Sequence, residues 1–239
     1  MTMISNSPDE YNHELAIFAA WLSACAYTQR VKQYLLGEWS FEHAEEFNYD
    51  FQLRRDSVAY TIAHKNNHIV VAIRGTPRGR DEWLSNFDVG LGTRHTGFSR
   101  AASDVHRNLH SYLYKHNLSE KTMLITGHSR GGAVANLLGQ RVKKEYSYVY
   151  TFGAPRVSRS GLIDDHDLDN IFNIINLHDP VVHVPPFPFK RYGRDLAFSW
   201  LNRDPFFSHM IIETYIAWLS RENPPAYIPS QTLQRLLYK

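Results

Sequence analysis

The sequence has a single cysteine, Cys25, and therefore cannot form an intramolecular disulfide. A cysteine-based metal site is excluded for the same reason. No stretch approaches the roughly 18 consecutive apolar residues of a membrane-spanning helix, since the best candidate, 15–27, is interrupted by Ser23. The charge is nearly balanced, with 26 basic and 24 acidic side chains and a net charge of +2. A nucleic-acid partner, which requires a strongly basic face, is therefore not expected.

The amino terminus shows no secretion signal. Residues 1–14 are polar and acidic, without the basic start and small-residue cleavage site of a signal peptide. We therefore expect a soluble chain that is cytoplasmic or exported by a signal-independent route. The opening residues 1–7 resemble the leader that cloning vectors attach, and we interpret them as that leader or as a disordered tail. Residues 8–239 are then expected to form one domain, because α/β domains commonly reach this length.

Hydrophobic spacing predicts helices and strands that alternate along the chain. Helical periodicity occurs over 9–29, 98–116, 131–145 and 209–220. Short β-rich apolar runs occur over 58–64, 69–74, 123–126, 148–152 and 171–177, and turn residues join the first two into a hairpin. Parallel strands need helical crossovers of the kind that this alternation supplies. The sequence therefore predicts the α/β class, with a mainly parallel central sheet and helices on both faces.

The pentapeptide 127–131 has the pattern G-x-S-x-G, with Ser129 at its centre. It lies between a predicted strand and a predicted helix, the context that distinguishes a nucleophile elbow from a chance match. Flanking glycines leave room for the sharp turn, which exposes the serine hydroxyl at a helix N-terminus where the dipole favours a developing alkoxide. Ser129 is therefore the candidate nucleophile. The alternative is a glycine-rich turn with an incidental serine.

A nucleophilic serine needs a histidine base, and the histidine needs an acid that fixes its tautomer. In α/β-hydrolases the acid follows the serine at the carboxyl end of a later strand. Asp179 follows the predicted strand 171–177, and Pro180 disfavours helical geometry there, so we assign the acid to Asp179. Rival aspartates precede that strand in a polar loop and are interpreted as solvated turn residues: Asp164, Asp165, Asp167 and Asp169.

Two histidines follow Asp179 in the chain. His183 lies on the same proline-bounded segment and is expected to point away from Ser129. His209 comes at the start of the last predicted helix, with enough intervening chain to reach the carboxyl ends of the strands. We assign the base to His209, and we interpret the remaining histidines, apart from His128 inside the elbow, as exposed side chains.

Acyl transfer also requires hydrogen-bond donors for an oxyanion. The backbone N–H of Arg130, the residue after the nucleophile, is one such donor. The predicted strand 69–74 is followed by Thr76, whose N–H and hydroxyl both qualify it as the second donor. The alternative is that Thr76 is simply a turn residue before Pro77.

A polar segment between Pro77 and Arg94 contains three large apolar residues, Trp83, Leu84 and Phe87. They share one face of a short predicted helix. We interpret this face as a lid or a lipid-contacting surface, with packing on the core as the alternative.

Six segments together resemble the class-three lipases, the group that contains the fungal triacylglycerol lipases. They are VVAIRGT (70–76), HTGF (95–98), TGHSRGGAVA (126–135), YTFGAPRV (150–157), NLHDPVVHVPP (176–186) and SHMIIETYIAWL (208–219). The likeness spans residues 15–220. It implies an α/β-hydrolase fold, a triad of Ser129, Asp179 and His209, an oxyanion hole formed by Thr76 and Arg130, and a short lid after the oxyanion strand.

Two features depart from that family's pattern. Arg130 stands where the family usually has leucine, which leaves the backbone donor intact but places a charged side chain near the mouth of the site. The chain is also shorter than the secreted fungal members and lacks their disulfides, so an extracellular location is not implied.

The leading hypothesis is a serine carboxylic-ester hydrolase that cleaves lipid esters, as a triacylglycerol lipase or esterase, through an acyl-enzyme on Ser129. This chemistry needs no metal or organic cofactor. The expected partner is a lipid or other ester substrate, met at a membrane or droplet surface. One alternative is a phospholipase A-type hydrolase that acts as a membrane-damaging effector. The other is a catalytically silent lipid-binding module, which the intact set of three side chains disfavours.

Overall fold

The computed structural model describes residues 7–48, 57–76, 91–118, 121–159 and 168–221. Its centre is a seven-stranded sheet with strand order β1-β2-β3-β4-β5-β7-β9. These strands are His43–Phe47 (β1), Tyr60–Lys65 (β2), His68–Ile73 (β3), Thr122–His128 (β4), Ser147–Phe152 (β5), Ile171–Asn176 (β7) and Arg194–Phe198 (β9). A separate antiparallel pair consists of Ser158–Arg159 (β6) and Phe189–Lys190 (β8).

Most strands of the central sheet are parallel. Strands β3, β4, β5, β7 and β9 run in one direction, whereas β1 and β2 join through antiparallel pairs. The predicted α/β class with a mainly parallel sheet is thereby confirmed. Ile73 pairs with Gly127 and His128 pairs with Phe152, so the carboxyl ends of β3, β4 and β5 meet at one edge of the sheet.

The helices are His13–Tyr27 (α1), Val31–Gly37 (α2), Leu91–Lys115 (α3), Arg130–Gly139 (α4), Pro205–His209 (α5) and Ala217–Leu219 (α6). A π-helical segment, Ile211–Ile216, connects the last two, and 3-10 turns occur at Lys144–Tyr146 and Pro180–His183. Among the described residues, no helix combines the length and the apolarity needed to cross a bilayer.

Helices cover both faces of the sheet, as predicted. On one face, α1 and the carboxyl-terminal helices pack on side chains such as Leu124 and Tyr150. On the other face, α3 and α4 pack on side chains such as Ile125 and Val149. Successive residues of a strand point to opposite faces, so β4 and β5 each contribute to both cores. Each fully buried large apolar side chain contributes about 1.5–3 kcal/mol to folding.

Helix α1 is apolar almost throughout because it is enclosed between the sheet and the carboxyl-terminal helices. It begins at Asn12, whose side chain accepts a hydrogen bond from Leu15 N at 2.9 Å. Cys25 is buried within it, and burial raises the pKa of its thiol, which makes the thiol unreactive.

Three predicted helices differ from those observed. The helix predicted over 98–116 begins earlier, at Leu91. The helix predicted over 131–145 ends at Gly139, where Arg141 N bonds to Leu138 O in a tightened last turn, and the chain resumes as a 3-10 turn. The last helix, predicted from His209, is in fact broken, and His209 ends the short helix α5 instead of starting a helix. Asp204 caps α5 and Pro205 begins it, a local start signal that the prediction overlooked. That residues 8–239 form one domain stays a prediction.

Candidate active site

Ser129 lies between β4 and α4, on the turn predicted from the G-x-S-x-G pattern. Its backbone has φ 57° and ψ −125°, a conformation that L-residues rarely adopt. The flanking glycines are required sterically, because a Cβ at Gly127 would lie 2.4 Å from the Gly131 backbone and one at Gly131 would lie 2.3 Å from Ile73 O. A hydrogen bond from Ser129 N to Phe152 O, at 2.9 Å, ties the turn to β5.

His209 and Asp179 lie at the same edge as Ser129. The distance from His209 Nε2 to Ser129 Oγ is 2.8 Å, and that from His209 Nδ1 to Asp179 Oδ2 is also 2.8 Å. A carboxylate only accepts hydrogen bonds, so His209 carries its proton on Nδ1 and presents the Nε2 lone pair to the serine hydroxyl. The structure therefore brings together the three residues that chain order had indicated.

Asp179 is completely buried and is held by three donors. Its Oδ2 accepts the Tyr215 hydroxyl at 2.6 Å in addition to His209, and its Oδ1 accepts Val181 N at 2.9 Å. The Asp179 backbone is extended (φ −84°, ψ 114°), as expected for a residue before proline. Burial and the neighbouring carboxylate raise the pKa of Tyr215 well above its usual value, so the phenol stays protonated and donates.

Asn176 links the segments that carry the acid and the base. Its Nδ2 donates to Trp200 O at 2.9 Å and to Ser208 O at 3.2 Å, while its Oδ1 accepts Trp200 N at 3.0 Å. Ser208 immediately precedes His209. One buried amide at the end of β7 therefore fixes the loop after β9 and the end of α5 relative to Asp179.

His128 supports both the base and the loop after β3. Its Nε2 donates to His209 O at 2.7 Å, which leaves Nδ1 to accept the Tyr27 hydroxyl at 2.8 Å. Tyr27 in turn lies beneath Gly75, where a Cβ would come 1.9 Å from the Tyr27 hydroxyl and 2.8 Å from His128 O. Only glycine at position 75 permits this close approach.

The two predicted oxyanion donors follow the neighbouring strands β4 and β3. Arg130 begins α4, and the first N–H groups of an α-helix have no partner within the helix. Thr76 is half-buried and follows Gly75 beyond the end of β3, the strand adjacent to β4.

The remaining candidate residues are not brought to this site by the described structure. His183 Nε2 donates to Leu177 O at 2.9 Å, and Asp169 forms an ion pair with Lys144 at 2.6 Å. Outside the described residues lie Trp83, Leu84 and Phe87 of the predicted lid and the rival aspartates Asp164, Asp165 and Asp167.

A family described as lipase (class 3) matches residues 70–189, half of the 239 residues. This region contains the elbow and Asp179. The chain belongs to the class 3 lipase family. The resemblance proposed from the six sequence segments is thereby confirmed.

Two curated relatives match over part of their length. The secreted mono- and diacylglycerol lipase 1 of Fusarium solani is 30% identical over 151 residues, which covers 57% of this chain and 45% of the relative. Triacylglycerol lipase OBL1 of Arabidopsis thaliana is 25% identical over 215 residues, which covers 64% of this chain and 42% of the relative. The chain thus spans less than half the length of these two curated relatives.

Solved structures of fungal lipases share the fold. Lipase II from Rhizopus niveus superimposes with a TM-score of 0.61 at 18% identity, over 79% of this chain and 81% of that one. The triacylglyceride lipase of Rhizomucor miehei gives a TM-score of 0.60 at 20% identity, over 77% and 79% of the two chains. The class 3 lipase chain therefore has the α/β-hydrolase fold that the resemblance implied.

Sequence reasoning did not assign three of the residues that hold this class 3 lipase site together: Tyr215, Asn176 and Tyr27. Tyr215 lies within the helix predicted over 209–220, which carries no indication of a role in the site. Its spacing of six residues from His209 gives no signal of a shared site, because residues six apart do not share a face of an α-helix, and the π-helical segment Ile211–Ile216 sets the direction of the side chain. Asn176 and Tyr27 carry no local signal, because their partners are distant in the chain.

The buried His128 predicts a loss of stability in mild acid. Burial, and to a lesser extent the neighbouring His209 ring, lowers the pKa of His128 well below 6.5, so it stays neutral in the folded class 3 lipase while the unfolded chain becomes protonated. The free energy of unfolding should therefore fall as the pH drops below about 6.5, by up to about 1.4 kcal/mol per pH unit for this histidine. Urea unfolding at pH 7.5, 6.5 and 5.5 measures the slope.

The matched variants for this test are His128→Gln and His110→Gln, the latter on the exposed side of α3. His128→Gln should have a shallower slope than wild type, although some slope remains because the pKa values of His68 and His106 are also lowered. His110→Gln should stay much closer to the wild-type slope, with only a small change through His106, whose pKa the neighbouring His110 helps to lower. Identical slopes in all three proteins would contradict the role given to His128.

Proposed function

We propose that this chain is a serine carboxylic-ester hydrolase of lipid esters, with Ser129 as nucleophile, His209 as base and Asp179 as orienting acid. The observation that carries the proposal is the unbroken chain of 2.8 Å hydrogen bonds from Ser129 Oγ through the His209 ring to Asp179. This arrangement is what converts a weakly nucleophilic hydroxyl into an attacking group.

Acylation begins when Ser129 Oγ attacks the ester carbonyl carbon while His209 Nε2 removes the hydroxyl proton. The C=O π-bond becomes an oxyanion, which the N–H groups of Thr76 and Arg130 stabilise. The tetrahedral intermediate then collapses and breaks the ester C–O bond, and His209 Nε2–H protonates the departing alcohol. The acyl group remains on Ser129.

Deacylation repeats these steps with water. His209 removes a proton from the water as its oxygen attacks the acyl carbon, and the second intermediate expels Ser129 Oγ, which regains the proton. A free fatty acid leaves. Asp179 stays ionised throughout and stabilises the imidazolium that forms twice in each cycle.

Exposed apolar side chains support a lipid substrate. Leu177 follows β7, Leu201 follows β9 and Phe207 lies two residues before His209, so each extends from the edge of the sheet that holds the triad. Phe187 lies on the loop after Asp179. These four side chains are between 44% and 82% exposed, and exposed apolar side chains that gather at one edge suit contact with a lipid surface. We propose that they contact a membrane or droplet surface together with Trp83, Leu84 and Phe87 of the predicted lid.

The names of the relatives support a proposal for the substrate class. Both curated relatives are named as acylglycerol lipases, one for mono- and diacylglycerols and one for triacylglycerols. We therefore propose acylglycerols as substrates of this chain. A cytoplasmic location or signal-independent export stays a prediction.

A fluorophosphonate probe tests the chemistry directly. Such a probe forms a covalent bond with an activated serine, so intact-mass analysis of the folded wild-type chain should show one adduct, located at Ser129 by peptide mapping. Heat-unfolded protein and Ser129→Ala should remain unlabelled. A folded wild-type chain without an adduct would support the catalytically silent lipid-binding alternative and exclude the enzyme.

The second candidate function is a phospholipase activity, which Arg130 favours. Arg130 is the first residue of α4, directly after the nucleophile, where the family usually has leucine. Its guanidinium group suits an anionic head group. Hydrolysis of short and long p-nitrophenyl esters, a diacylglycerol and phosphatidylglycerol should be measured for wild type and Arg130→Leu. Faster cleavage of the diacylglycerol favours the lipase, whereas faster cleavage of phosphatidylglycerol that Arg130→Leu selectively lowers favours the phospholipase. Cleavage of short esters alone would indicate an esterase.

A further inference from the structure

A cluster of histidine and glutamate side chains lies at the end of the sheet opposite the triad. His43 and Glu45 are two residues apart on the edge strand β1 and share one face of it, while His116 directly follows α3. Strand β3 starts next to the cluster, at His68, and ends at the active-site edge, at Ile73. The length of this strand separates the two sites by about 16 Å. The cluster therefore takes no part in the ester chemistry.

The three side chains converge on one point. Glu45 Oε1 is 3.1 Å from His43 Nε2 and 3.5 Å from His116 Nε2, and each residue offers a ligand atom within 4.8 Å of the other two. A tetrahedral zinc ion with bonds of about 2.0–2.1 Å requires ligand atoms roughly 3.3–3.4 Å apart. We propose that His43, Glu45 and His116 form a binding site for a divalent transition-metal ion of the zinc class.

The environment of His116 favours a cation. Its Nε2 is shielded from solvent, and among the described residues it meets only Glu45 Oε1, at 3.5 Å, too far for a well-formed hydrogen bond. An imidazole nitrogen in that position gains a partner when a metal binds. His116 also lies at the carboxyl end of a 25-residue helix, where the dipole stabilises positive charge.

Surrounding groups hold the ligands in place. The ring of His116 lies 4.5 Å from that of His43 and 5.0 Å from that of His64, centroid to centroid. His64 Nδ1 is hydrogen-bonded to the Tyr112 hydroxyl at 2.8 Å, which fixes its ring behind the site. Lys115 Nζ is 2.6 Å from Glu45 Oε1, but this side chain is 62% exposed and can move into solvent when a metal ion replaces it.

The consequence is structural. The ligands connect β1, the outermost strand of the sheet, to the end of α3. A bound ion therefore stabilises an edge strand that pairs with a neighbouring strand on one side only. A ligand that binds only the folded state raises its stability by mass action. At a hundredfold excess of free zinc over its Kd, the Tm should rise by about 5–10 °C for a chain of this size.

The chain contains a matched control. His106 Nε2 and His110 Nε2 lie 3.2 Å apart on the exposed side of α3, where they offer a metal two ligands without a carboxylate. Two neutral imidazoles bind a zinc ion more weakly than the two imidazoles and one carboxylate of His43, Glu45 and His116. The variant His110→Asn therefore tests for binding at this pair.

The experiment titrates Zn²⁺ into tag-free, chelator-treated protein by calorimetry and follows the Tm. Wild type and His110→Asn should bind one Zn²⁺ with the same Kd, and His116→Asn and Glu45→Gln should weaken binding at least tenfold. His43→Asn, on an exposed edge strand, replaces either variant if it fails to fold. No binding by wild type at about 0.1 mM Zn²⁺, or loss in His110→Asn alone, would overturn the proposal. Ester hydrolysis should be equal with and without zinc, so the result is independent of the proposed function.

Discussion

Ser129→Ala is expected to lower ester hydrolysis by at least about 10⁴-fold, because the attacking oxygen is removed while the base and the acid remain. The change should appear in kcat, with KM for a p-nitrophenyl ester little altered, since the substrate still meets the same surface. Ser111→Ala, on the solvent side of α3, provides the control for a serine lost elsewhere and should retain wild-type activity. Ser129→Ala with more than about 1% of wild-type kcat would remove the serine mechanism.

The stability of two Ser129 variants tests the strain at the elbow. Alanine keeps a Cβ and therefore the unfavourable φ of 57°, so Ser129→Ala should unfold within about 1 kcal/mol of wild type. Glycine adopts this conformation freely, and Ser129→Gly should gain about 1 kcal/mol after its larger unfolded-state entropy is subtracted from the relieved strain. That gain corresponds to a Tm about 2–4 °C higher. Ser129→Gly melting below Ser129→Ala would show that the turn is not strained.

Buried parallel strands were predictable because their burial makes them uniformly apolar. The predicted runs 123–126 and 148–152 match β4 and β5 closely, since every residue of β5 is buried. The edge strands β1 and β9 were not predicted. Strand β1 buries only Ala44, and β9 exposes most of its residues, so neither shows an apolar run or a regular alternation. Edge strands commonly carry charged residues that prevent association with other sheets.

The triad was predictable for a different reason. Chain order and the position of Asp179 after a strand depend on topology, which the alternation of helices and strands already indicates. The contacts that hold the triad depend instead on side-chain directions in three dimensions. Asn176 reaches Ser208 and Tyr27 reaches His128 across elements that no local pattern relates. The same holds for His43 and His116, which the sequence alone indicates only as exposed histidines, because the contact between them depends on the fold.

Asp179→Asn is expected to reduce kcat by about 10⁴-fold even though the side chain keeps its shape. All three partners of the carboxylate are donors: His209 Nδ1, the Tyr215 hydroxyl and Val181 N. An amide group cannot accept at both of its ends. If its NH₂ faces His209, the imidazole must accept at Nδ1 and carry its proton on Nε2, where it can no longer take the proton of Ser129.

The other orientation of the substituted amide is also unfavourable. With the amide oxygen facing His209, the NH₂ group meets Val181 N–H, and a buried donor pair without an acceptor costs about 1–3 kcal/mol of stability. Because the second orientation carries this cost, we expect the amide to take the first one and Asp179→Asn to lose activity through the wrong tautomer. It should also unfold at lower urea concentration, since its three partners lose a charged acceptor. Tyr215→Phe, which removes only one of three donors, should lose about 10–100-fold in kcat. Asp169→Asn supplies the control, because Asp169 pairs with Lys144 away from the triad and its loss should leave kcat unchanged. Steady-state kinetics and urea unfolding of the three variants decide the matter: an Asp179→Asn enzyme within tenfold of wild type would mean that His209 does not depend on this carboxylate for its tautomer.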